Sequence, residues 1–155
     1  MSAFKALELV ITQASLERDA QMRRYAQAQR TLQHAQGQLD QLQSYAGDTD
    51  VRWTRGQAFD LSAELVRHHY QFVGKLQNAI HLQTGVLANL QRQLDAAHQR
   101  LVQAEARVAS FKQVLKKRQA AQRLQQGRQE QRATDAFAAL RHRRDATSAI
   151  TGDMP

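Results

Sequence analysis

The sequence has few of the residues that interrupt helices or cross-link chains. Its 155 residues include no cysteine, one proline, seven glycines and only 6% aromatic side chains. Without cysteine, a disulfide framework, a thiolate metal site and a cysteine nucleophile are excluded. The proline is residue 155, so residues 1–154 lack the strongest helix breaker. Abundant Gln, Ala, Leu and Arg therefore favour helix nearly everywhere, and large side chains are too few for a loop-rich globule.

Long apolar runs are also missing. No segment approaches the roughly 18 consecutive apolar residues that span a bilayer. The cluster 6-ALELVI-11 is interrupted by Glu8 and is followed by polar residues without a small-residue cleavage site. We therefore expect a cytoplasmic protein with no signal peptide and no direct membrane insertion.

The motifs of common enzyme classes are absent too. The chain contains no G-x-x-x-x-G-K-[ST], no G-x-G-x-x-G and no H-E-x-x-H. None of its six histidines lies four residues from another, and the adjacent His68 and His69 would point about 100° apart on a helix. We therefore expect no catalytic residue, no metal site and no cofactor.

Apolar residues recur at alternating steps of three and four along two long series. The first series runs over residues 4–46 and the second over residues 66–118. A few polar side chains interrupt them, namely Arg18, Gln21, His69, Gln83 and Arg118. A repeat sustained over this many heptads is typical of a coiled-coil seam.

The segment 47-GDTDVRWTRGQAFD-60 separates the two series and predicts the connection between them. It holds two of the seven glycines, three aspartates and the sole tryptophan. Asp60 or Ser62 can cap the helix that follows. We predict a single all-α domain in which two long helices form an antiparallel hairpin coiled coil. Its predicted parts are helix one over about 3–46, a turn over about 47–60, a longer helix two over about 61–145, and a short flexible C-terminus.

The unequal helix lengths predict an overhang. If the hairpin folds near residue 54, equal rise in both helices places the start of helix one opposite about residue 104. Val108, Phe111 and Leu115 would then continue the seam without an intramolecular partner. An unpartnered apolar stripe on a helix is typical of a docking surface or an oligomer contact.

Positive charge is concentrated near the C-terminus. Residues 112–144 hold ten basic and two acidic side chains, a net +8 that equals the formal charge of the whole chain. Such a segment can bind nucleic acid, anionic lipid or an acidic protein surface, or it can simply solvate a lone helix. Because it lacks interleaved aromatics for base stacking, we rank nucleic acid below a protein partner.

A second apolar edge lies beside the seam near the predicted turn. With Val73 and Ile80 at heptad position a, Phe72 falls at position g, where charge is usual, and Tyr45 falls at g in helix one. The g edges of an antiparallel pair meet on one flank, which predicts a wide ribbon formed by Gln38, Leu42, Tyr45, Phe72, Leu76 and Ala79. Its aromatic members either bind a partner or shield the seam.

Three segments carry a family resemblance. In chain order, 38-QLDQLQSY-45, 72-FVGKLQNAI-80 and 128-RQEQRATDAFA-138 resemble the bacterial flagellar export protein FliJ family, and the resemblance covers nearly the whole chain. It implies a noncatalytic cytoplasmic coupling stalk and chaperone of flagellar type III export. The implied partners are the hexameric export ATPase, the transmembrane export gate and export chaperones.

The resemblance also assigns sites. The six ribbon residues match the gate-binding surface of the family. Combining the predicted overhang with the tail that resembles the family, we expect docking to the ATPase at Val108, Phe111, Leu115, Arg128, Glu130, Gln131, Arg132, Asp135 and Phe137. The alternative is a generic coiled-coil tether whose basic arm binds nucleic acid or an anionic membrane surface.

Overall fold

The computed structural model describes residues 2–56 and 62–152, and almost all of them are helical. Helix α1 spans Ser2–Gly56 and helix α2 spans Ala63–Thr151. Tyr45 contacts Phe72 while the earlier Tyr25 contacts the later His98, so the helices run antiparallel there. No described residue lies in a strand. The predicted all-α pair of packed helices with a longer second helix is confirmed.

The helices contribute to two compact units. One unit comprises Thr12–Val108, and the other joins Met1–Ile11 to Ala109–Pro155. We call them the 12–108 unit and the terminal unit. Each contains a segment of both helices. The assignment of the whole chain to a single domain stays a prediction.

The core of the 12–108 unit lies along the predicted seam. Every seam position from 14 to 46 and from 66 to 108 is buried or half-buried. Small residues are frequent among the most buried apolar side chains, which are Ala14, Ala35, Leu39, Leu76, Ala97 and Val108. Because alanine lets two backbones approach closely, this seam depends on short-range packing between the helices more than on large side chains.

A polar position interrupts the seam. Gln21 is only 7% exposed. Its Nε2 donates to Glu17 Oε1 at 2.8 Å, whereas its Oε1 has no hydrogen-bond partner among the described residues. An unsatisfied buried acceptor costs about 1–3 kcal/mol. A single polar residue in a seam can also favour one register over its alternatives.

Helix α1 continues ten residues beyond its predicted end at residue 46. Thr49, Trp53 and Gly56 extend the steps of three and four and are half-buried. The Trp53 ring stacks on His69, with centroids 3.7 Å apart and planes 3° apart. A helical glycine such as Gly47 costs about 1 kcal/mol relative to alanine, which the burial of an indole can offset. The turn predicted over about 47–60 is therefore wrong for residues 47–56, and residues 57–60 lie outside the described residues.

Ser62 caps helix α2. The Leu65 backbone N–H donates to Ser62 Oγ at 3.3 Å, and the Val66 N–H donates to the Ser62 carbonyl oxygen at 3.2 Å. A serine oxygen at this position satisfies a backbone donor that the first helical turn leaves unpaired. The prediction is confirmed for Ser62, while Asp60 lies outside the described residues.

Helix α2 continues to Thr151, six residues past its predicted end at 145. The helix is therefore longer at its C-terminal end than the sequence pattern indicated. At this end the Gly152 backbone N–H donates to the Ser148 carbonyl oxygen at 3.0 Å. The last three residues of the predicted flexible C-terminus lie outside the described residues.

The overhang begins later than predicted. Val108 is 3% exposed, and Phe111 and Leu115 are half-buried. Within the terminal unit, Phe4 and Ala3 line a shallow groove together with Arg118, Ala121, Gln122 and Gln125. The start of α1 therefore lies beside residues near 120 and not near 104. The prediction that Val108, Phe111 and Leu115 lack an intramolecular partner is wrong.

The error has a geometric cause. Because α1 continues to Gly56 and α2 begins at Ala63, the midpoint between the paired helices lies several residues after residue 54. In an antiparallel pair with equal rise per residue, moving the turning point one residue later shifts the partner of each α1 residue by two positions along α2. A reversal only a few residues later therefore carries the paired seam more than ten residues further along α2.

Beyond the paired region, α2 presents an exposed basic segment. Every residue from 123 to 152 is exposed, and we call this segment the C-terminal arm. It holds six arginines and three acidic residues. Phe137 and Leu140 are 68% and 63% exposed, so they offer apolar surface to a partner. An exposed arm is therefore present, but it starts near residue 123.

Candidate functional site

The predicted ribbon has an exposed aromatic pair beside a buried leucine. The Tyr45 and Phe72 rings meet edge to face, with centroids 5.9 Å apart and planes at 81°. Tyr45 is 53% and Phe72 39% exposed, whereas Leu76 is only 8% exposed. Leu42 and Ala79 are half-buried. The structure thus brings residues of both helices together and leaves the two rings facing solvent.

An open groove adjoins the aromatic pair. It has a volume of about 550 Å³ and is lined by Gln38, Gln41, Leu42, Tyr45 and Gln83. The Gln83 Nε2 donates to the Ala35 carbonyl oxygen at 2.9 Å and to Gln38 Oε1 at 3.2 Å. This interhelical bridge holds the Gln38 amide at the groove, where a partner can reach it.

Gln83 is a groove residue that the ribbon prediction omitted. The heptad pattern marked it only as a polar interruption of the seam. The signal was its position, because a long amide side chain at a seam position can reach the backbone of the facing helix. Its actual partners depend on the interhelical register, which periodicity alone does not supply.

The aromatic pair covers the seam only in part. An edge-to-face pair contributes about 0.5–1.5 kcal/mol beyond the apolar area that it buries. Tyr45 nevertheless keeps more than half of its surface in water. Exposed aromatic rings of this kind are enriched among the residues that dominate protein–protein affinity. The geometry therefore suits association at least as well as shielding.

The predicted tail residues all lie in the C-terminal arm and are exposed. They are Arg128, Glu130, Gln131, Arg132, Asp135 and Phe137. Their hydrogen bonds are local: Gln131 Nε2 donates to Asp135 Oδ1 at 3.1 Å, and Thr134 Oγ1 donates to the Glu130 carbonyl oxygen at 2.9 Å. The residues of the predicted overhang differ from the tail residues. They belong to the seam and are buried or half-buried, namely Val108, Phe111 and Leu115.

The described residues provide surfaces for association. Among them there is no group of three side chains that could hold a metal ion. No helix in the described ranges is long and apolar enough to cross a bilayer. What the helices do present is the aromatic pair with its groove, and the basic arm.

One comparison with known proteins identifies the family. The family model described as Flagellar FliJ protein matches residues 4–147, which include the ribbon and most of the arm. No curated protein and no solved structure gives a significant match. The family is a non-enzymatic component of flagellar export. Because the match covers nearly the whole chain, this protein belongs to the FliJ family and has a role related to flagellar protein export.

Proposed function

We propose that the protein is a noncatalytic coupling stalk and chaperone of flagellar type III export. It links the export ATPase ring to the membrane export gate and to export chaperones. Family membership supports an export role, and the exposed aromatic pair and the exposed C-terminal arm are two surfaces that such a link can use. The observation that carries the proposal is the exposed Tyr45–Phe72 pair, which has contributions from both helices.

The ribbon is the gate-binding surface in this proposal. Its two rings supply exposed apolar area, and the Gln38 amide supplies a polar contact at the edge of the groove. A flat helical surface with a few aromatic anchors favours a reversible contact, since a small number of buried anchors carries most of the affinity.

The arm is the ATPase-docking surface. Six arginines against three acidic residues give it a positive field that steers association with an acidic surface. Phe137 and Leu140 can then anchor the complex, because both are exposed and lie three residues apart on one helix face. In this proposal the seam supports the contact only indirectly, because it buries or half-buries Val108, Phe111 and Leu115.

A second function is supported by the same arm. All six of its arginines are exposed, as binding to nucleic acid or to an anionic membrane surface would require. Phosphate binding of this kind weakens steeply with salt because counterions are released. A salt series with duplex DNA and with anionic vesicles separates this tether function from docking through apolar anchors.

Truncating either ring of the aromatic pair should weaken binding to the gate. For Phe72→Ala and Tyr45→Ala we expect a loss of at least about fivefold in affinity for a soluble cytoplasmic fragment of the export gate, since truncating a buried anchor commonly costs more than about 1 kcal/mol. Isothermal titration calorimetry measures the affinity. Circular dichroism should show unchanged helicity, because neither ring belongs to the buried core of the seam.

Tyr70→Ala is the matched control. Tyr70 is an aromatic residue of α2 that is 67% exposed and lies at heptad position e, on the other flank. Its truncation should leave the affinity unchanged. If the Phe72 and Tyr45 variants fold and still bind the gate fragment normally, the ring pair only covers the seam.

A further inference from the structure

The exposed apolar stripe on α2 is longer than the ribbon. Leu65 and Val86 lie seven residues before Phe72 and seven after Ala79, and they are 54% and 46% exposed. A spacing of seven keeps all four side chains on one helix face, at heptad position g. From the first to the last, the stripe extends about 32 Å at 1.5 Å per residue.

The neighbouring flank of α1 carries arginines between Tyr45 and Glu17, which occupies position g one heptad before Arg24. Arg24 lies at position g, three heptads before Tyr45. A shallow groove there is lined by Ala20, Arg23, Arg24, Ala26, Gln27 and Arg30. All three arginines are exposed, and one guanidinium is held by a 2.8 Å bond from Arg30 to Gln27 Oε1. We call Arg23, Arg24 and Arg30 the arginine cluster.

The stripe and the cluster follow one another along the 12–108 unit. Tyr45 contacts Phe72, and Tyr25, which follows Arg24 in sequence, contacts His98. Arg24 therefore lies opposite the part of α2 near His98. That part is about twelve residues after Val86, or about 18 Å further along the helix axis. One flank of the helix pair thus changes from apolar to basic in a fixed order.

We propose that this flank is a docking track for one amphipathic helix of a partner protein. The apolar face of that helix packs along the stripe from Leu65 to Val86, and its carboxylates beyond that face pair with the arginine cluster. A groove flanking two packed helices accepts a third helix through side chains spaced three and four residues apart. The proposal rests on the proposed function, because the stripe includes Phe72.

Charge favours an acidic occupant. The groove at the cluster is lined by three exposed arginines and by no acidic residue, so carboxylates on a docked helix complement it. Like charges brought together at an interface are unfavourable, whereas carboxylates beside exposed arginines also raise the association rate. The order of the stripe and the cluster determines which end of the partner helix lies beside the arginines, namely the end that carries the carboxylates.

Site-specific cross-linking tests the track, since the native chain has no cysteine. Leu65→Cys, Val86→Cys and Arg24→Cys would each carry a photo-cross-linker, and the probe is the soluble cytoplasmic fragment of the export gate. The first two positions should cross-link to one segment of the fragment, at sites about 21 residues apart. The third should cross-link further along the same segment, near Asp or Glu. Cross-links scattered over unrelated segments would overturn the proposal.

Charge substitutions provide an independent test by calorimetry. Val86→Glu and Arg24→Glu should each weaken gate-fragment binding at least about tenfold, since each places a carboxylate where the partner is apolar or acidic. The matched controls are Val102→Glu, at a valine of α2 that is 48% exposed at position b, and Arg92→Glu, at an exposed arginine at position f. Both controls should leave the affinity within about twofold, because they lie off the track.

The outcomes separate this proposal from the proposed function. If Phe72→Ala weakens gate binding but Val86→Glu and Arg24→Glu do not, the track is wrong and the ribbon remains the gate site. If all three variants bind normally, both proposals fail. If sedimentation shows a dimer of the native chain that Val86→Glu dissociates, the occupant is a second copy, and the partner helix is excluded.

Discussion

Replacing Val108 with aspartate is expected to lower the free energy of unfolding by about 3–5 kcal/mol, the cost of leaving a charge uncompensated in a buried position. Val108 is only 3% exposed, the lowest value among the buried core residues. The measurement is a urea unfolding titration in which far-ultraviolet circular dichroism monitors the loss of helix. A loss of this size is a large share of the stability of a small protein.

Val102→Asp is the control for this result. Val102 lies in the same unit and on the same helix but is 48% exposed. Its replacement should change stability by less than about 0.5 kcal/mol, as is usual for surface positions. Equal effects at the two valines would mean that Val108 is not buried and that the paired seam ends near residue 104.

Removing residues 123–155 is expected to abolish association with the export ATPase and to leave the paired seam intact. The truncation removes the exposed arm with its six arginines, and it spares every seam position that is buried or half-buried. Helicity should fall only by the share of the missing residues, and the urea midpoint should not move. Size-exclusion chromatography with the ATPase measures the association.

A longer truncation shows where pairing ends. Removing residues 112–155 also takes away Leu115, Gln119 and Gln122, which are half-buried. This variant should unfold at lower urea, because the start of α1 loses the surface that it packs against. If the 123–155 truncation still binds the ATPase, the arm is not the docking surface. If it instead loses salt-sensitive binding to anionic vesicles or DNA, the tether function replaces docking.

Periodicity predicted the seam well because burial in a coiled coil follows from local spacing. The two series, which contain Ala14 and Leu39 in α1 and Ala97 in α2, could be identified without knowing which residues face one another. The exposed aromatic pair was predictable for a related reason. Once the seam is placed, Tyr45 and Phe72 fall at g in both helices, and an antiparallel arrangement brings those edges together.

The end of α1 was not predictable from local composition. Gly47 and the nearby aspartates are typical of a turn, yet the helix continues because Trp53 packs on His69, which lies on the other helix. That contact is tertiary, and tertiary contacts override weak local preferences. The wrong turning point then displaced the predicted overhang. The bridge from Gln83 to Gln38 was likewise hidden, since it depends on the register between helices.

The most direct test of the coupling function asks whether one chain holds the ATPase and the gate fragment at once. Immobilised export ATPase should capture the soluble gate fragment only when the protein is added. With Phe72→Ala the ATPase should retain the protein and lose the gate fragment, and without residues 123–155 it should retain neither. The function would be contradicted if the gate fragment displaced the protein from the ATPase, or if the Phe72→Ala chain bridged the two as well as the native chain does.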